Sequence, residues 1–248
     1  MKFKQLLKID LGVYVLTDLH PQDWHEAIDY YRPVPSSLPP YAPIQGPNLW
    51  PSPSLYPTFR PTFEPYISAL LNLGDAMMRA MSLALHPSPP REDLFLPFLR
   101  APFWVMRILG YPPLSPIAAA AGGVSCGEHS DYGCTTFLLA DSTKGALQVL
   151  AKDGSWINAD PVDGAYVVNI GDMVEVWTNG LWKSTRHRVV HKGSGYRVSV
   201  PFFFEPDWDA LYVLFCLFSS HPPPLLQNMY YFANFLNPHE VLSPSTSA

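Results

Sequence analysis

The stretch Cys134–Phe204, CTTFLLADSTKGALQVLAKDGSWINADPVDGAYVVNIGDMVEVWTNGLWKSTRHRVVHKGSGYRVSVPFFF, decides the fold. It divides into short runs rich in β-branched and aromatic residues at Cys134–Leu139, Ala146–Leu150, Ser155–Asn158, Tyr166–Ile170, Val174–Thr178, Ser184–Val190 and Tyr196–Phe204. Runs of this length and composition are expected to be strands. Asp153-Gly154, Asp163-Gly164 and Asn179-Gly180 lie between them, dipeptides that tolerate the positive φ of tight hairpin turns. Many short strands joined in this way predict a mainly β sandwich or jelly roll. A further strand is expected at Val105–Leu109.

Proline marks where the sheet can extend. Eleven of the 28 prolines fall between Pro33 and Pro65, whereas only Pro161 lies between Ile117 and Val200. Proline has no N–H to give to an inner strand. Residues 33–65 are therefore expected to be extended and irregular, with the sheet built from residues 117–204. Between these regions, Phe63, Tyr66, Ile67, Leu70, Leu71, Met77, Met78 and Met81 recur at helical spacing, which predicts a helix from Thr62 to Leu85. Thr62 is its expected N-cap, Pro65 falls in the first turn and Pro87 stops it. A shorter helix is expected at Arg91–Leu96. The implied organisation is a Pro-rich N-terminal segment over 1–61, a helix-plus-sheet core over 62–209 and a C-terminal tail over 210–248.

The chain has 248 residues, of which 48% are hydrophobic and 15% charged, a globular composition with room for one sizeable core. A formal net charge of −5 without any Lys/Arg-rich run argues against nucleic acid and anionic membrane as partners. Cys126, Cys134 and Cys216 are too sparse for a disulfide framework and fit a reducing compartment. Lys8 and Asp10 interrupt the N-terminal apolar stretch, so it does not read as a signal peptide. Ala210–Phe218 is shorter than the ~20 residues of a membrane span. The expectation is a soluble, cytoplasmic monomer acting on a small molecule, with residues 242–248 disordered.

Three short motifs carry chemistry. In Glu128-His129-Ser130-Asp131, the imidazole and the carboxylate are two residues apart and share one face of an extended chain. His129 and Asp131 alone are a common pattern. His187, in the strand after the Asn179-Gly180 turn, supplies a third leg. Two histidines and one carboxylate on one face of a metal leave adjacent positions open, the facial triad of non-haem iron(II) oxygen chemistry. Past the Lys192–Gly195 turn, Arg197 and Ser199 share a strand face. An inward guanidinium is costly without an anion. Its fork matches a carboxylate, and the serine hydroxyl adds a third hydrogen bond, so a dicarboxylate co-substrate fits between the metal and Arg197. Phe203 and Glu205 continue the same parity and are expected to line the substrate end, although Phe203 reads equally well as core.

These motifs resemble the isopenicillin N synthase-like iron(II)/2-oxoglutarate-dependent dioxygenases of plant type. The resemblance runs through GEHSDYGCTTFLLAD, through GALQVLAKDGSWINADPVDGAYVVNIGDMVEVWTNGLWKSTRHRVV and through YRVSVPFFFEPDWDA. It covers roughly residues 20 to 210 and is most specific between 123 and 209. It implies a double-stranded β-helix with flanking helices. It implies His129, Asp131 and His187 as iron(II) ligands, Arg197 and Ser199 as the clamp on the distal carboxylate of 2-oxoglutarate, and Tyr111 as a hydroxyl reaching the same co-substrate. The motif selects His187 over His191, which is expected to be a surface or supporting histidine. His20, His25, His86, His221 and His239 have no partner at ligand spacing.

The chain departs from the pattern at three places. Leu109 stands where the family often has an asparagine. The additional N-terminal strand that the family carries is not found ahead of the Pro-rich segment, and residues 210–248 show no family motif. Two other readings therefore stand beside an active oxygenase: a truncated, catalytically weak protein that binds a metal or a partner, and an iron oxidase of the same fold that uses ascorbate rather than 2-oxoglutarate.

Overall fold

Apolar residues at alternate positions fix which side of each strand is buried. In the computed structural model, which describes residues 23–33, 46–86, 89–117, 123–208 and 210, they build two facing antiparallel sheets. The strands are β1 (Glu26–Tyr31), β2 (Pro102–Tyr111), β3 (Cys126–His129), β4 (Thr135–Ala140), β5 (Leu147–Leu150), β6 (Trp156–Asn158), β7 (Val167–Ile170), β8 (His187–Val189) and β9 (Arg197–Asp207). A five-stranded sheet runs in the order β1-β2-β9-β4-β7 and a four-stranded sheet in the order β3-β8-β5-β6. This is the expected double-stranded β-helix.

The outer face of the five-stranded sheet carries the main core. Helix α1 (Phe59–Leu85) buries Ile67, Leu70, Met78, Met81 and Leu85 in one cluster with Tyr30, Trp104, Met106, Phe137, Phe202 and Phe204. Gly74 is required where the helix meets the sheet, because a Cβ there would collide with the Phe204 ring. Full burial of each large apolar side chain contributes about 2–3 kcal/mol. The inner face is sparser. Leu109 and Tyr111 pack with Ala146, Leu147 and Val189 at one end of the space between the sheets.

Local structure differs from the expectations at four places. Helix α1 follows Thr58, so it begins ahead of Thr62, and Pro65 lies inside it. Pro87 is outside the described residues, as are residues 1–22, the Ala210–Phe218 run beyond Ala210 and the tail to Ala248. Arg91–Leu96 is no helix; a single 3-10 turn covers Leu96–Phe98. Val174–Thr178 is no strand: α2 (Asp172–Trp177) occupies it, with Gly171 as N-cap and Asp172 and Glu175 in its first turn. The β-branched residues point to a strand, but Met173, Val174 and Trp177 bury one helical face, and tertiary packing overrides propensity. Asn179 and Gly180, with φ of 50° and 75°, therefore terminate a helix rather than close a hairpin.

The fourth difference is β1, which lies ahead of the irregular stretch expected at 33–65, where no strand was expected. It pairs with β2 from Glu26↔Gly110 to Tyr31↔Val105 and forms the sheet edge. Its last residue is tied off by a side chain. Tyr31 N–H donates to Asn48 Oδ1 at 2.9 Å, and Asn48 Nδ2 donates to the Tyr31 carbonyl at 2.7 Å.

Candidate metal centre and co-substrate pocket

His129 ends β3 and His187 begins β8, and the two are direct partners in the sheet register. Pairing of the strands therefore brings the imidazoles together, with ring centroids 4.3 Å apart. Asp131 lies two residues further, in the short connection to β4, and is 6% exposed. Its Oδ1 is 3.9 Å from His129 Nε2 and 3.6 Å from His187 Nε2. The three donor atoms all lie within 4.8 Å of one another.

The surroundings orient each donor. His129 Nδ1 donates to the Gly127 carbonyl at 2.7 Å, and His187 Nδ1 donates to the Thr185 carbonyl at 3.0 Å. A carbonyl can only accept, so each ring carries its proton on Nδ1 and turns the Nε2 lone pair inward. Burial, followed by the neighbouring His187, holds the His129 pKa below the usual histidine range, which keeps the imidazole neutral. Thr136 Oγ1 and Asn169 Nδ2 donate to Asp131 Oδ2 at 2.5 and 2.7 Å. Those bonds occupy one oxygen and leave Oδ1 facing the histidines. Helix α2 fixes the backbone beneath, since Asp172 N–H donates to the Asp131 carbonyl at 2.7 Å. Gly171 must be glycine there, because a Cβ would collide with the Gly133 carbonyl oxygen. Oriented imidazoles and an oriented carboxylate are what a divalent cation with nitrogen and oxygen ligands needs, so the donor set fits iron(II).

Arg197 and Ser199 face the same interior from β9, opposite Tyr111 and Leu109 of β2. Arg197 is 2% exposed, and its guanidinium lies 4.9 Å from the Tyr111 ring centroid. Nη1 reaches Ser199 Oγ at 3.5 Å, and Nε has no hydrogen-bond partner. Among the described residues no carboxylate forms an ion pair with it. Such a group is stable only when an anion joins it. Tyr111 is buried beside it, and burial raises the phenol pKa, so its O–H remains a donor at neutral pH. Leu109 supplies no polar group here and packs in the inner apolar cluster.

Phe203 and Glu205 are half-buried on the inner face of β9. The Glu205 carboxylate overlies Gly133 so closely that a Cβ there would strike Oε2. Burial and then the charge of Asp131 push its pKa up to about 8.

Some neighbours were not legible in sequence. Thr136 and Asn169 face one another across β4 and β7, a relation visible only in the register. His25, which has no partner at ligand spacing in sequence, comes within 4.8 Å of Asp23 and Cys126. It donates to the Ser125 carbonyl at 2.8 Å, while Asp23 Oδ1 accepts from Gly127 N–H at 2.7 Å; both fasten the start of β1 to β3. His191 is not a surface residue. It is 2% exposed, with Nε2 donating to the Gly195 carbonyl at 2.6 Å, and it stays outside the triad.

Residues 105–206 match the model of the 2OG-Fe(II) oxygenase superfamily. Homoarginine-6-hydroxylase 2-ODD-C23 of Glycine max is 42% identical over 196 residues, which cover 75% of this chain and 57% of the relative. Homoarginine-6-hydroxylase 2-ODD-233 of Oryza sativa subsp. japonica is 43% identical over 192 residues, 76% of this chain and 57% of the relative. The chain thus spans a little over half the length of these relatives. Among solved structures, JOX2 in complex with 2OG, Fe and JA has a TM-score of 0.69 at 31% identity, covering 82% of this chain and 56% of that one. A 2OG-Fe(II) oxygenase family protein from Caulobacter crescentus has a TM-score of 0.67 at 29% identity, covering 85% of this chain and 67% of that one. Residues 105–206 therefore form a domain of the 2OG-Fe(II) oxygenase superfamily.

Proposed function

We propose that this protein hydroxylates a small organic substrate with iron(II) and 2-oxoglutarate, releasing succinate and CO2. The observation that carries the reading is Arg197, a buried guanidinium with no ion-pair partner among the described residues and an unpartnered Nε, facing the interior from β9. His129, Asp131 and His187 hold the iron, and the catalytic core is residues 62–209. When bound, iron(II) supplies the oxygen activation that side chains cannot. The chain's own residues perform the other tasks. Arg197 and Ser199 take the distal carboxylate of 2-oxoglutarate, and the Tyr111 hydroxyl donates beside them. Thr136 and Asn169 keep Asp131 turned toward the metal. Leu109, Leu147 and Val189 keep water from the co-substrate end. Phe203 and Glu205 line the substrate end.

The names of the two plant relatives describe hydroxylases, which supports hydroxylation as the outcome. Among the described residues no helix is long and apolar enough to cross a membrane. A cytoplasmic, monomeric protein without nucleic-acid or membrane partners is part of the same proposal, supported by the net charge of −5 and three sparse cysteines.

Anaerobic addition of iron(II) and 2-oxoglutarate should produce a weak visible charge-transfer band, and oxygen should then yield succinate. Iron binding without the band, or turnover that needs ascorbate in place of 2-oxoglutarate, overturns the co-substrate assignment. Arg197→Ala should raise the 2-oxoglutarate concentration for half-maximal turnover about tenfold or more, the usual effect of losing a charge-assisted pair. An unchanged requirement removes Arg197 from the clamp.

A further inference from the structure

Among the described residues, two groups of histidine, cysteine and carboxylate side chains bring their donor atoms close enough together to hold a metal ion. One is the triad. The other is Asp23, His25 and Cys126, whose donor atoms also lie within 4.8 Å of one another. These three come from two segments of the chain. Asp23 and His25 lie just ahead of β1, and Cys126 opens β3. Asp23 forms an isolated parallel bridge with Val124, and Trp24 N–H donates to the Ser125 carbonyl at 3.2 Å. Residues two apart in extended backbone share a face, so the bridge sets both side chains against the start of β3. Trp24, between them, turns outward and is half exposed.

The donors are oriented as those of the triad are. His25 Nδ1 donates to the Ser125 carbonyl at 2.8 Å, which leaves the lone pair on Nε2. Gly127 N–H donates to Asp23 Oδ1 at 2.7 Å, which leaves Oδ2. An imidazole fixed through one nitrogen and a carboxylate fixed through one oxygen are what metal ligands require of their surroundings. Cys126 Sγ has only a weak contact, 3.8 Å from His129 Nδ1, and that nitrogen is already committed to the Gly127 carbonyl. Asp23 and Asp131 act on the thiol as negative charges. Arg107 is the cation that acts on it, and its Nε and Nη2 are engaged with Asp29 at 2.6 and 2.7 Å.

We propose that Asp23, His25 and Cys126 form a second metal site, separate from the triad, that takes zinc(II). One sulfur, one nitrogen and one oxygen donor make a set that zinc binds in tetrahedral geometry, with water in the fourth position. The sulfur sets the preference, because thiolate favours zinc, whereas the two imidazoles and one carboxylate of the triad suit iron(II). On binding, a sulfur–zinc bond replaces the S–H bond and the proton leaves to solvent. The ion clasps the chain ahead of β1 to β3. The clasp is anchored at Gly127, whose N–H holds Asp23 and whose carbonyl holds His129 Nδ1, so one residue serves both sites.

Cobalt(II) is the probe, since it occupies zinc sites and gives an intense near-ultraviolet charge-transfer band when bonded to a thiolate. The triad offers no sulfur and gives no such band. The metal-free full chain is titrated anaerobically. Two equivalents of cobalt should bind, the band should saturate with one of them, and zinc(II) should bleach it. Cys126→Ser should remove the band and one equivalent. His25→Gln should weaken the cobalt affinity read at the band at least tenfold, because losing a ligand has no smaller effect than the ~10–100-fold of losing an outer partner. His187→Ala, which disables the triad, should keep the band and lose the other equivalent. No band in the unaltered protein overturns the inference without reliance on any variant. A band that survives Cys126→Ser belongs to another thiol and overturns it as well. So does a band that His187→Ala abolishes and His25→Gln leaves intact, which would make Cys126 a further ligand of the triad. Cobalt binding is read without turnover, so the outcome does not depend on the oxygenase reading.

Discussion

The two faces of β2 and β9 come from one pair of strands yet have opposite surroundings. Outward, Met106 and Phe202 are fully buried and Phe204 is 1% exposed, all within the cluster under α1. Inward, alternate positions of the same strands carry Arg107, Tyr111, Arg197, Ser199 and Glu205. On that face a guanidinium nitrogen lacks a partner and a carboxyl is forced toward neutrality. The outward face stabilises the fold by burying large apolar side chains against α1. The inward face leaves charges and hydrogen-bond donors unmatched until ligands arrive. Alternation along a strand allows both, because a side chain on one face has little influence on the packing of the other.

Substitutions on each face can break this contrast. Phe202→Ala, on the outer face, should cost about 3–5 kcal/mol of unfolding free energy in urea. A loss below ~1 kcal/mol would show that α1 does not depend on that face. On the inner face, Thr136→Val should leave the fold close to its original stability while weakening iron(II) affinity about tenfold or more, since supporting partners of metal ligands have effects of that size. If stability falls as far as in Phe202→Ala with metal affinity unchanged, the division between the faces is wrong. The smallest effect concerns pH. In the native metal-free protein Glu205 holds its proton up to about 8, whereas its ordinary value is 4.5. Between those values the unfolded chain binds fewer protons, so stability falls as pH rises. The contribution is intact below pH 4.5 and is lost on rising through about 8. Thermal unfolding of Glu205→Gln should show a flatter decline over that window, and identical slopes would place the titration elsewhere.

The sequence was most legible where one local rule decided the outcome. The strands from Thr135 to Phe204 follow from their turns and β-branched runs, and the triad follows from a spacing of two plus one strand partner. Glu26–Tyr31 was missed because a short strand of mixed polarity beside a Pro-rich segment carries little pattern of its own; β2 supplies its reason to exist. Val174–Thr178 misled because β-branched residues there serve a helix held by its N-terminal contacts to residues 131–133. Asn169 lies 38 residues from the Asp131 it touches, and Asp29 lies 78 residues from Arg107. Each is a product of register, which no single segment encodes.

Asn48 has a consequence beyond tying down Tyr31. A sheet that ends in an open strand invites other chains to add to it, and the invitation grows with every free N–H and carbonyl along the rim. At the end of β1, one amide side chain occupies a donor and an acceptor as a neighbouring backbone would. The rim is thus closed at that point by a mimic too small to propagate, and a second chain approaching there finds no template to extend.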